Sequence, residues 1–82
     1  MQVTIKYFAS TREAIGRASE QRQTSATTLG ALRDELLAHG PAYACLSRDR
    51  AVRMALGQVM SDEAAALTDG CEVAFFPPVT GG

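Results

Sequence analysis

Tryptophan is missing from this 82-residue chain, histidine occurs once, cysteine twice, and aromatic residues make up only 6% of the sequence. Each shortage closes off a class of function. The single imidazole, His39, ends a helical pattern with no Ser or Cys close by in sequence, which argues against a free-standing hydrolase and for a plain helix-end role. Cys45 and Cys71 stand too far apart, beside one His, to form a disulfide framework or a zinc ligand set, so no metal site is expected. Each cysteine reads as a small buried hydrophobe. Neither sign of charge is in excess: the formal net charge is −1. A near-neutral surface attracts neither nucleic acid nor an anionic membrane, and neither is expected as a partner. Arg48, Arg50 and Arg53, interrupted by Asp49, read as a solvated loop edge. No apolar run is long enough to cross a bilayer. Thr4 and Lys6 break the early apolar stretch where a secretory leader would lie, so the expected location is the cytoplasm.

What is present suffices for one domain with a single modest core. From Gln2 to Phe8 the residues alternate, with Val3, Ile5 and Tyr7 on one face and Gln2, Thr4, Lys6 and Phe8 on the other, which predicts a strand. Residues 9–17 read as a loop closed by Gly16, and Ser19 to Thr24 as a polar edge strand. Thr28 then precedes Leu29, Leu32 and Leu36, the spacing of one apolar helix face, and Gly40-Pro41 stops the helix. Gly30 weakens its first turn, leaving packing of the leucines to carry it. Residues 42–50 read as irregular, Val52 to Leu56 as a strand, Gly57-Gln58 as a turn and Val59-Met60 as a short return. Asp62 to Ala66 reads as one helical turn, followed by a tight turn at Thr68-Asp69-Gly70. This order predicts an α+β domain with one main helix packed on one sheet.

The last segment runs Glu-Val-Ala-Phe-Phe-Pro-Pro-Val-Thr-Gly-Gly. Val73 and Phe75 fall on one face of a final strand, and Glu72, Ala74 and Phe76 on the other. Pro77 and Pro78 cannot donate to a sheet ladder, so the strand is expected to stop there. Residues 1–76 are expected to form the domain and residues 77–82 a flexible tail reaching roughly 20 Å. Glycines lack Cβ atoms, so Gly81 and Gly82 make a tip thin enough to thread into another protein's active site. The reactive group expected at such a tip is an α-carboxylate, ionised at neutral pH and able to attack the phosphorus of a nucleoside triphosphate.

The run Leu67-Thr68-Asp69-Gly70 with Glu72 to Gly82, and Phe8-Ala9 with Arg12-Glu13 and Gly16, resembles the small subunits of molybdopterin synthase over essentially the whole chain. Cys71 stands where that family usually has Asp, and Leu56-Gly57-Gln58 where it usually has Val-Asn-Gln. The resemblance implies a ubiquitin-like β-grasp fold with the first and last strands parallel neighbours. It implies a sulfur carrier, itself non-catalytic and binding no cofactor. Its Gly82 carboxylate would be adenylated by an ATP-dependent enzyme of the ubiquitin-activating type and converted to a thiocarboxylate with a sulfurtransferase. Thr80 and Gly81 would thread into the synthase large subunit, where sulfur passes to cyclic pyranopterin monophosphate. By the same resemblance Met60 lies beside Phe8 and Phe76, and the three form a partner-binding surface. The thiamine-pathway sulfur carriers and the ubiquitin-like protein modifiers share the fold and the Gly-Gly end, and stand as alternatives.

Overall fold

Side chains of alternating polarity build the sheet, and the structure, a computed structural model, describes residues 1–77. Strand β1 (Gln2–Tyr7) buries Val3, Ile5 and Tyr7 on one face. The polar strand β2 (Ser19–Gln23) pairs antiparallel with it and forms one edge. On its other side β1 pairs in parallel with β5 (Glu72–Phe76), through Ile5 opposite Val73 and Tyr7 opposite Phe75. Strand β3 (Arg53–Leu56) runs antiparallel to β5, and β4 (Val59–Ser61) closes the far edge, giving the order β2-β1-β5-β3-β4. The β3–β4 hairpin turns on Gly57 and Gln58, both with positive φ (58° and 69°). Positive φ at both central residues is what a two-residue turn matched to the twist of its strands requires.

Helix α2 (Leu29–His39) crosses one face of the sheet. Thr28 caps it by accepting the Ala31 amide at 3.2 Å, and Leu29, Leu32 and Leu36 are fully buried against Val3, Ile5, Val73 and Phe75. Three such leucines contribute about 2 kcal/mol each, which outweighs the poor propensity of Gly30. Gly40 is extended (φ 169°), and Pro41 opens a 3-10 turn over Pro41–Leu46, followed by a second at Arg48–Arg50, where an irregular stretch is expected from sequence.

Three further expectations are corrected. Residues Ala9–Ile15 are helix α1, not a loop, closed by Gly16 in the left-handed region with its N–H on the Arg12 carbonyl. Asp62 to Ala66 is not a helical turn. Asp62 accepts the Ala64 amide, and the segment becomes a strap across the start of α2: Leu29 and Gly30 donate to the carbonyls of Ala65 and Glu63, both at 3.0 Å, and Leu67 donates back to Thr27. The strap thereby satisfies amides that the first turn of a helix leaves unpaired. Arg48 is no free edge charge either. It reaches Asp34 on α2, Glu63 on the strap and the Gly30 carbonyl, tying all three together.

Gly30 is required for that closeness. A Cβ there would lie 2.9 Å from Glu63 Cβ and 3.3 Å from its carbonyl oxygen, atoms that cannot swing away without moving the strap. Gly30→Ala gains about 1 kcal/mol of helix propensity but incurs about 1–3 kcal/mol of overpacking. We expect a net loss in urea unfolding. A variant as stable as the parent would mean that the strap yields freely.

Candidate functional site

The face of the sheet away from α2 carries the candidate surface, and strand register lays it out. Lys6 on β1 pairs with Ala74 on β5, Ala74 with Ala55 on β3, and Ala55 with Met60 on β4. All four side chains therefore share the outer face in one row. Phe76, at the end of β5, pairs with Arg53 and stacks on Phe8, with ring centroids 4.8 Å apart and planes 8° from parallel. On the opposite face Tyr7 stacks on Phe75 at 6.1 Å. Two aromatic pairs thus sit back to back where β1 and β5 end, one inside the core and one outside it.

Phe8 is held where it is by the start of α1. Its amide donates to the Phe75 carbonyl at 3.3 Å and to the Thr11 hydroxyl at 3.1 Å, and Thr11, itself buried, bonds back to the Phe8 carbonyl. One residue earlier, the Tyr7 hydroxyl donates to Glu20 at 3.0 Å, and Tyr43 donates to the same oxygen at 2.8 Å. Burial and then the Glu20 carboxylate push both tyrosines above the ordinary phenol range, so both stay protonated donors. That network and α1 clamp the end of β1 and fix the outward ring beside it.

The structure brings Phe8, Met60 and Phe76 together as expected, around a depression of about 300 Å3 floored by Ala55 and Ala74. Phe8 and Met60 keep 41% and 55% of their surface exposed, a cost in water that a folded chain normally avoids. A Lys6–Glu72 ion pair at 2.9 Å stands at the rim. The alanine floor and this pair were missed in the sequence, where small residues on an outward face carry no signal until their neighbours' heights are known. Thr80, Gly81 and Gly82, the candidate tail residues, lie outside the described residues. Cys45 and Cys71 are free and half-buried beside the core, and burial pushes the Cys45 thiol up, away from the reactive thiolate. His39 sits at the end of α2 with its ring edge-on to Tyr43. Among the described residues no group of His, Cys, Asp and Glu is placed to hold a metal, and no helix is long and apolar enough to cross a membrane.

A five-stranded mixed sheet with parallel β1 and β5 beside each other and one main helix across it is the ubiquitin-like β-grasp architecture, as the resemblance implied. The chain belongs to the ThiS family, whose model matches residues 5–82. Among curated proteins it is 36% identical to the molybdopterin synthase sulfur carrier subunit of Escherichia coli (strain K12) over 80 residues, 98% of this chain and 99% of that one. It is 35% identical to the subunit of the same name from Haemophilus influenzae, with the same coverage. The crystal structure of SAMP1 from Haloferax volcanii superposes with a TM-score of 0.82 at 25% identity, covering both chains completely. A chain of the complex of subunits 1 and 2 of molybdopterin-converting factor from Helicobacter pylori 26695 has the same fold, with a TM-score of 0.70 at 24% identity and full coverage of both chains. The family expected from the tail and the N-terminal residues is therefore borne out.

Proposed function

We propose that this chain is the sulfur carrier subunit of a molybdopterin synthase. The observation that carries the reading is the junction of docking face and tail: Phe76, stacked on Phe8, is followed directly by Pro77, and the family match continues to Gly82. Whatever grips the aromatic face holds the chain immediately before Pro77, where the tail begins. The 36% identity to a sulfur carrier subunit over nearly the whole chain supports the same assignment.

In this reading the Gly82 carboxylate attacks the α-phosphorus of ATP on an activating enzyme of the ubiquitin-activating type, releasing pyrophosphate. Adenylation supplies the leaving group that a carboxylate lacks. Sulfur supplied through a sulfurtransferase attacks the acyl carbon and displaces AMP. At the sulfide level it leaves the thiocarboxylate directly, and as a persulfide it leaves an acyl disulfide that a second thiol cleaves to the thiocarboxylate and a disulfide. Thr80 and Gly81 then thread into the synthase large subunit, where the sulfur is donated to cyclic pyranopterin monophosphate. ATP is consumed on the activating enzyme, the catalytic side chains belong to the partners, and this chain binds no cofactor of its own.

Intact-mass measurement of the protein from cells with an active pathway tests the proposal. The expected product is one sulfur in place of one oxygen, localised by fragmentation to Gly82. The double variant Cys45→Ser/Cys71→Ser should acquire the same mass change and still yield molybdopterin, because the sulfur is carried on a carbonyl carbon and not on a thiol. A conjugate to another protein's lysine would favour a modifier instead. Complete loss of transfer from a folded, thiocarboxylated double variant would overturn the carrier chemistry.

A further inference from the structure

The depression on the outer face has a chemistry of its own. Ala55 and Ala74 lie on the side of the sheet away from the core, yet they are only 3% and 9% exposed. They are recessed because Phe8 and Phe76 rise on one side and Met60 on another, so their methyl groups floor a hollow. Alanine is a weak choice for a strand, where Val or Thr would fit a pleated surface better, and at the centre of this sheet it occurs on two adjacent strands at directly paired positions. The walls are mostly apolar. The two charged residues that line the hollow, Lys6 and Glu72, are paired with each other at 2.9 Å, and Arg53, beside Phe76 on the same face, lies outside the lining.

We propose that Ala55 and Ala74 determine docking specificity by admitting one large apolar side chain, aromatic or branched aliphatic, from the synthase large subunit. This inference rests on the sulfur-carrier reading and adds to it the occupant of the face. Phe8, Phe76 and Met60 supply the walls, and the absence of side-chain bulk at the two alanines supplies the space. A neutral occupant removes water from the exposed surfaces of Phe8 and Met60 above the alanine floor, while a charged one would lose its own hydration there. The Lys6–Glu72 pair limits how far the occupant extends along the sheet.

Ala55→Val and Ala74→Val test this, because each fills the floor with a residue that suits a strand. Each should remain folded in a thermal melt, at some loss of stability from the added methyls, and bind the large subunit about tenfold or more weakly in titration calorimetry. Thr4→Val, on the same face but outside the hollow, should bind as the parent does. Wild-type affinity of both folded alanine variants overturns the inference. If Phe76→Ala weakens binding while they do not, only the occupied hollow is wrong; if Phe76→Ala also binds normally, the docking face itself is wrong. An independent measurement needs no variant. Lys6 is the chain's single lysine and stands at the hollow's end, so its acetylation should slow about tenfold or more in the complex. An unchanged rate overturns the inference even if the valine variants fail to fold.

Discussion

Deleting Gly82, or adding one residue beyond it, reduces ATP–pyrophosphate exchange with the activating enzyme to background and leaves the unfolding transition where it was. The stability half follows from where the core ends. Among the described residues Phe75 is the last fully buried side chain, Phe76 and Pro77 are half-buried, and Phe76 is the last to pair in the sheet. The activity half follows from reach. One residue more or fewer moves the carboxylate by about 3.5 Å, and misplacement by even about 1 Å at a reacting centre costs on the order of 100-fold. An extension also replaces the carboxylate at Gly82 with a peptide carbonyl, which is no nucleophile. Substituting Gly82 by Ala retains the carboxylate, so its exchange rate separates the need for a thin tip from the need for a correctly placed one. Normal exchange by the truncated or extended chain would show that Gly82 is not the activated residue.

The parts of this molecule that were legible in the sequence are those whose cause is local. Alternation in β1 and β5, the leucine spacing of α2 with Thr28 before it, and the Gly57-Gln58 turn each depend on residues within a few positions of one another. Helix α1 was not legible because it has no apolar stripe: Ile15 touches the core, and the start is fixed by Thr11 bonding to Phe8 beside the Phe75 carbonyl, 64 residues away in sequence. The strap was illegible for the same reason, since its partners are amides of α2 that no pattern within residues 62–67 announces. Arg33, on α2, is announced by no local pattern either. It is buried, donating to the Leu46 and Ser47 carbonyls, where burial lowers its pKa and the carbonyls at the end of the 3-10 turn compensate its charge. At the site, the two aromatic residues were placed by alternation and Met60 by resemblance. The hollow between them depended on three strands meeting in register, which only the folded sheet reveals.

Phe76→Ala weakens binding to the activating enzyme and to the synthase large subunit alike, each by about 2 kcal/mol or more, or on the order of 30-fold in Kd. In the proposed function the tail gains sulfur on the first partner and gives it up on the second, and in each case the chain runs from the Phe8–Phe76 stack into Pro77, the last described residue. A partner that positions Gly82 therefore has every reason to hold the ring that precedes Pro77. Met60, unbranched and polarizable, adapts to two different surfaces more readily than a stiff side chain would. In the free protein the substitution removes one stacked ring pair, about 1 kcal/mol, while Val73 and Phe75 remain sealed beneath α2. Weakened binding thus occurs in a folded chain, as a thermal melt can verify. Shared use of one face has a second consequence, which is that the partners exclude each other. Titrating the large subunit into a carrier–activating-enzyme complex should release the enzyme in sedimentation velocity, with no species of summed mass. A stable ternary complex, or wild-type affinity of Phe76→Ala for both partners, would show that the two docking events use different surfaces.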